Sequence, residues 1–221
     1  MTCTRWTEAR TMRDFTEIRQ FVEREIVPRY DDFDAGHSRD HVLTVIDQAL
    51  QLAEYYPEVD HCILLVAAAY HDLGLVNGRE HHHTDSARII REDKHLLKWF
   101  SDDEINLIAD AAEDHRASSD HEPRTIYGRI VAEADRIIDG ETIVRRALQY
   151  GMKHEPGLDR DGQYRRLMEH MREKYDYGGY LKLWIPQSAN ARRLEEFRQL
   201  LADEPRFRQL FDHIYDSLNN Q

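Results

Sequence analysis

Residues 61–74 read HCILLVAAAYHDLG, and this run sets the architecture expected for the whole chain. It is apolar nearly all round from Ile63 to Ala69, which is typical of a helix enclosed by other helices. The pattern predicts a helix over about Glu58 to Leu73 that ends in His71, Asp72 and Gly74.

Apolar patterns with a period of 3.6 residues flank this run on both sides, and no convincing alternating strand is found. Ser101 and Glu104 form a capping box, which predicts the start of a further helix. The other helices are predicted at about Thr11–Pro28, Ser38–Tyr56, His83–Glu92 and Thr125–Ile138, with more helices after Glu141 broken at 155–157, 177–180 and Pro186. The predicted fold class is all-α.

The length of 221 residues and the hydrophobic fraction of 41% predict a single compact domain over residues 1–221. Within it we expect a helical core at about 30–140 and a C-terminal helical extension at about 141–221. Neither a signal peptide nor a membrane span is recognisable, and Cys3 and Cys62 are too few for a disulfide framework. A cytoplasmic location without a membrane partner is therefore expected.

The formal net charge of -12 argues against binding to duplex nucleic acid, because affinity for the phosphate backbone comes from clustered Lys and Arg. An anionic substrate must then be attracted by a local feature, such as a bound cation.

The histidines are concentrated in one part of the chain, since ten of the thirteen fall between His37 and His121. Asp135 lies on the apolar face of a predicted helix, where a carboxylate costs several kcal/mol unless it is paired or binds a cation. Imidazoles with one or two carboxylates would complete the coordination of such a cation. A nitrogen and oxygen donor set without thiolate suits Mn, Fe, Co, Ni or Mg.

Four of these residues occur in motifs that resemble those of the HD-domain metal-dependent phosphohydrolase superfamily. His41 stands in DHVLTV, His71 and Asp72 stand in AAAYHDLG, and Asp135 stands in IVAEADRI. The resemblance covers roughly Arg39 to Gly140. It implies a helical HD-type core in which these four residues are metal ligands, with Asp72 also acting in catalysis.

Some members of the superfamily have two further histidines that hold a second metal ion. His115 in EDHRASS fits one of them, and either His82 or His83 fits the other, with His82 favoured. The resemblance implies that Asp72 would bridge the two ions. Arg116 is adjacent to His115, and we expect its guanidinium to contact a substrate phosphate in catalysis.

The same residues also have simpler structural interpretations. His71 and Asp72 could simply end a helix, with the Asp turned outward. His37 and His121 each have a smaller chance of reaching the site. Residues 177–180 could form a flexible lip over a pocket or only break a helix.

The function that follows is hydrolysis of a phosphate ester or anhydride in a small, nucleotide-like phosphorylated metabolite, with one or two divalent metal ions as cofactor. The alternatives are a di-iron oxygenase of the HD type and a non-catalytic module that binds a metal or metabolite.

Overall fold

The computed structural model describes residues 13–119 and 121–219, and all of their regular elements are helical, which confirms the all-α class. No helix in these ranges is long and apolar enough to cross a membrane. In chain order the α-helices are α1 Phe15–Phe21, α2 Arg39–Ala53, α3 His61–Tyr70, α4 His82–Glu92, α5 Asp102–Glu113, α6 Ile126–Asp135, α7 Gly140–His154, α8 Arg160–Tyr175, α9 Asn190–Ala202 and α10 Glu204–Asn219.

Shorter helical turns connect several of these helices. A π-helix at Val22–Ile26 and a 3-10 turn at Val27–Tyr30 continue α1, so the first predicted helix is present but is regular only at its start. Further 3-10 turns lie at Ala35–His37, Leu73–Asn77 and Lys94–Lys98.

The chain divides into two compact units, the first up to Glu113 and the second from Asp114. Whether they form a single domain, as length and composition suggest, stays a prediction. In the first unit α3 is the central helix, because it packs against α1, α2 and α5 and every residue from Cys62 to Tyr70 is buried. Asp60 caps its first turn by accepting from the backbone N–H groups of Cys62 and Ile63.

The start of α5 and the end of α6 are each set by local backbone chemistry. The capping box at α5 forms as expected, with Ser101 N–H donating to Glu104 Oε2 at 3.0 Å. Helix α6 ends at Asp135 rather than at Ile138, because Arg136 adopts a ψ of 86° and leaves the helical region. Asp135 is therefore the last residue of its helix.

The second unit has its own apolar core. Side chains of α7, α8, α9 and α10 form it, with Phe197, Phe207 and Phe211 packed in aromatic contacts with Tyr164 and Tyr175. The predicted breaks in this part of the chain are all present between helices.

Candidate metal centre

His41 lies in the first turn of α2, on the same buried face as Val42 and Val45. Its side chain is only 6% exposed, and its Nε2 is 3.6 Å from Oδ2 of Asp72. The apolar stripe that buries α2 therefore also places this imidazole inside the first unit.

His71 and Asp72 directly follow α3. Both are buried, and His71 Nε2 lies 3.1 Å from Asp72 Oδ2. The hydroxyl of Tyr30 holds this helix end, since it donates to the Ala69 carbonyl at 2.8 Å and accepts from the Asp72 N–H at 3.4 Å. Asp72 thus faces the interior, and the interpretation of it as an outward-turned residue at a helix end is wrong.

His82 is the first residue of α4 and approaches Asp72 from another direction. Its Nε2 is 3.6 Å from Asp72 Oδ1. Gly74 makes this approach possible, because a Cβ there would lie only 2.0 Å from the carbonyl oxygen of His82. The Gly74 N–H also donates to Ser86 Oγ at 2.8 Å, which ties the turn after α3 to α4.

The two carboxylate oxygens of Asp72 therefore face different histidines. Oδ2 is directed at His41 and His71, and Oδ1 is directed at His82. Asp72 can therefore offer a ligand atom in two directions.

Backbone carbonyls fix the tautomers of two of these histidines. Nδ1 of His71 lies 2.8 Å from the Ala68 carbonyl, and Nδ1 of His82 lies 2.8 Å from the Arg79 carbonyl. A carbonyl oxygen can only accept, so Nδ1 carries the proton and, in the neutral ring, Nε2 has the lone pair. Metal-binding histidines are oriented in this way, with the second ring nitrogen held by an oxygen acceptor.

The donor spacing fits a divalent ion. Two atoms bound to one ion at about 2.1 Å lie about 3.0 Å apart at a right angle and about 3.4 Å apart at a tetrahedral angle. The spacings at Asp72 are 3.1 and 3.6 Å. His41, His71 and Asp72 each offer a ligand atom within 4.8 Å of the others, so this group could hold a metal ion.

The remaining predicted ligands belong to the second unit. His115 is buried and comes two residues after α5 ends, and Asp135 is half-buried at the end of α6. Burial lowers the pKa of Lys174, and the Asp135 carboxylate near it acts in the opposite direction. The role of His115 and Asp135 as ligands stays a prediction.

His83 and Arg116 are placed differently from the residues around Asp72. His83 is half-buried beside His82, and it belongs to none of the possible ligand groups found among the described residues. Arg116 donates from Nε to Ser118 Oγ at 3.0 Å and lines a cavity of the second unit. Its contact with a substrate phosphate stays a prediction.

The other two histidines with a possible role, His37 and His121, are half-buried and exposed, respectively. His37 is held by Asp34, with Nδ1 2.8 Å from Oδ1, and its ring is 5.9 Å from that of His41. His121 is exposed, and its Nδ1 lies 2.9 Å from the Glu122 carbonyl.

Sequence reasoning missed the residues that support these side chains. Tyr30 follows the first predicted helix, and nothing in the neighbouring sequence indicates that its hydroxyl will hold the end of α3. Gly74 was visible after the His-Asp pair, but its close approach to α4 depends on tertiary contacts. Lys174 carries no local signal either, because its relation to Asp135 is created by folding.

Comparison with known families agrees with this geometry. Residues 39–138 match the family model described as HD domain, a segment that runs from α2 to α6. This segment is therefore similar to the HD domain, the helical domain of a superfamily of metal-dependent phosphohydrolases, which agrees with the resemblance predicted from the motifs. No curated protein and no solved structure matches the chain.

Proposed function

We propose that this protein hydrolyses a phosphate ester or anhydride of a small, nucleotide-like metabolite, using water activated by divalent metal. The observation that carries the proposal is the position of Asp72 between His41 and His71 on one side and His82 on the other. The match to the HD domain supports it at the level of the superfamily.

The proposed ligands are divided between two ions. His41, His71, Asp72 and Asp135 would hold one, and Asp72, His82 and His115 would hold the other. All six lie within the segment that matches the HD domain. The nitrogen and oxygen donors suit Mn, Fe, Co, Ni or Mg.

The ions would supply two effects when bound, a lower pKa of a coordinated water and polarisation of a phosphoryl oxygen. The chain itself would orient the reaction. The carbonyls of Ala68 and Arg79 hold the rings of His71 and His82, and Tyr30 holds the backbone of Asp72. Arg116 is the side chain that we expect to bind the phosphate, through two guanidinium donors.

Elemental analysis of the purified protein, followed by a phosphate-release screen over nucleotides and simple phosphoesters, tests the proposal. We expect a divalent metal in the wild type, little metal and no phosphate release in Asp72→Asn, and partial metal loss in His82→Gln. His83→Gln is the matched control, because it removes the neighbouring imidazole and should keep both metal and activity.

Three outcomes would contradict parts of this proposal. A wild type without metal, together with full activity in Asp72→Asn, would refute the metal centre. Oxygen uptake after aerobic iron loading would favour the di-iron oxygenase. A fall in melting temperature on chelation, with no phosphate released from any compound, would favour the non-catalytic module.

A further inference from the structure

The carboxylate of Glu133 is completely buried near the end of α6, two residues before the proposed ligand Asp135. Its Oε2 accepts from the backbone N–H of Trp184 at 2.7 Å and of Ile185 at 3.4 Å, and its Oε1 accepts from the hydroxyl of Ser188. All three donors belong to the segment between α8 and α9. One buried side chain therefore joins this segment to the helix that carries Asp135.

The main chain of Glu133 makes a further bond to the same region. Asn190 is the buried first residue of α9, and its Nδ2 donates to the Glu133 carbonyl at 3.0 Å. The last carbonyls of a helix have no partner within that helix, so a side-chain donor here fixes the end of α6. Three bonds to the carboxylate and one to the carbonyl thus hold residues 184–190 against a single residue, and we call this set of bonds the Glu133 clamp.

Arg136 holds the same turn of α6 at its other end. The residue is buried, and its Nη1 donates to the Ala132 carbonyl where the helix stops. Burial lowers the pKa of the Arg136 guanidinium, and the nearby carboxylates of Asp135 and Glu133 act in the opposite direction. Glu133 and Arg136 are therefore both anchored, and the same contacts position the backbone of Asp135 between them.

The segment held by the Glu133 clamp also forms part of the wall of a cavity in the second unit. This cavity has a volume of about 610 Å³, and residues 181–184 line it. Trp184 belongs to both features, since it lines the cavity and its backbone N–H bonds to Glu133. A contiguous set of hydrogen bonds therefore connects the cavity wall to the turn that carries Asp135, and such networks transmit energetic coupling between sites.

The chemistry of Glu133 favours a positioning role. With no exposed surface and both oxygens bonded, it cannot contact a substrate, so an effect on the reaction must act through other residues. An apolar side chain would join the two elements without the cost of burying a carboxylate. A buried polar network in which every oxygen is bonded instead fixes one arrangement of the elements that it connects.

We propose that the Glu133 clamp couples Asp135 to the cavity wall, so that divalent metal held by Asp135 also orders residues 181–190. Glu133 and Asn190 are then positioning residues for this ligand. The inference rests on the proposed function for the role of Asp135 in metal binding. Because coupling is reciprocal, an occupant of the cavity that orders the wall and a metal ion at Asp135 strengthen each other's binding by the same factor.

Hydrogen–deuterium exchange of the full chain, measured by mass spectrometry with a chelator or with saturating Mn²⁺, tests the coupling. A peptide covering residues 181–189 contains the amides that bond to Glu133, and a peptide covering 68–76 contains proposed ligands of the first unit. A peptide covering 204–219, in α10, is the reference, because it contains no residue of the clamp. We expect Mn²⁺ to slow exchange about fivefold or more in the first two peptides and less than about twofold in the reference. Slowing at 68–76 alone would overturn the coupling and leave the metal centre intact.

Substitutions at Glu133 test whether the coupling runs through the clamp. Glu133→Met keeps the length of the side chain but offers only a weak thioether acceptor. Glu133→Gln is the matched control, because its amide oxygen can accept from Trp184 and Ile185 and its amide nitrogen can donate to the Ser188 hydroxyl oxygen. In Glu133→Met we expect metal-free exchange at 181–189 to be about tenfold faster and the effect of Mn²⁺ there to fall below about twofold. Glu133→Gln should behave as the wild type in both respects.

Asn190→Ala tests the clamp from the side of α9, because it removes only the bond to the Glu133 carbonyl. We expect Mn²⁺ to bind about tenfold more weakly in titration calorimetry and to slow exchange at 181–189 less than in the wild type. Gln199→Ala, at an exposed position of the same helix, is the control. Circular dichroism reports folding, and if Glu133→Met fails to fold, Asn190→Ala decides alone. A full effect of Mn²⁺ on 181–189 in the folded variants would overturn the proposal.

The failure of this inference can be told apart from that of the proposed function. If Mn²⁺ slowed exchange at 181–189 only with the clamp intact, and no compound released phosphate, the coupling would stand and the hydrolase would be contradicted. Metal-dependent phosphate release, with exchange at 181–189 unchanged by Mn²⁺, would support the hydrolase and overturn the coupling. A chain that bound no metal at all would overturn both.

Discussion

A methyl group added at Gly74 tests whether the close approach of α4 to the end of α3 builds the site around Asp72. In Gly74→Ala the new Cβ would lie 2.0 Å from the His82 carbonyl oxygen and 2.6 Å from the Ser86 backbone nitrogen. Real Cβ atoms essentially never come within 3.0 Å of such atoms, so the start of α4 must move by about 1 Å.

The expected magnitude follows from two terms. Overpacking of a tight contact costs about 1–3 kcal/mol, and weakening of the Gly74 to Ser86 hydrogen bond adds about 1 kcal/mol. A loss of about 2–4 kcal/mol corresponds to a fall in melting temperature of roughly 5–15 °C. The same movement carries His82 away from Asp72, so we expect less bound metal per chain.

Thermal unfolding and elemental analysis of Gly74→Ala measure both effects. Gly157→Ala is the control, because a Cβ at that position meets no atom within 4 Å. If Gly74→Ala had the same melting temperature as the wild type and bound the same amount of metal, close packing at Gly74 would not be what positions His82, and the reasoning would be refuted.

Two further predictions concern groups buried in the first unit. Tyr30→Phe removes the hydroxyl that bonds to Ala69 and Asp72. We expect the free energy of unfolding, measured in urea, to fall by about 1–3 kcal/mol and metal binding to weaken. Tyr55→Phe, at an exposed position, is the control, and equal effects of the two substitutions would contradict the role of Tyr30. Burial, with Asp60 nearby, raises the pKa of the Cys62 thiol to about 11. In a Cys3→Ser background we therefore expect Cys62 to react with iodoacetamide at pH 8 far more slowly in the folded than in the denatured chain. The folded state keeps the thiol proton to a higher pH than the unfolded state, in which the pKa of the thiol is about 8.5. The stabilisation that results is fully present below about pH 8.5 and is lost as the pH rises towards 11. Rapid labelling of the folded chain would show that Cys62 is accessible and ionised.

Much of the fold could be predicted because the relevant signals are local. The unbroken apolar run at α3 requires burial on all sides, and the exchange of bonds between Ser101 and Glu104 needs only residues three apart in sequence. Helix ends were less predictable. Asp135 was expected in mid-helix, since Ile137 and Ile138 continue the apolar pattern, but the backbone leaves the helix at Arg136.

The choice between His82 and His83 shows the limit of local patterns in the candidate site. Adjacent residues in a helix point about 100° apart, so only one of them can face Asp72, and sequence spacing does not say which. The contact of α4 with Gly74 places His82 beside Asp72.

By itself, the sequence determined the all-α class and the HD motifs that contain His41, His71 and Asp72, because helix periodicity and short motifs depend on neighbours along the chain. Only the tertiary structure decided which oxygen of Asp72 faces which histidine, that the Tyr30 hydroxyl holds the backbone of Asp72, and that His82 approaches Asp72. Those features depend on residues far apart in sequence and on distances of a few tenths of an ångström, which packing sets and residue patterns do not encode.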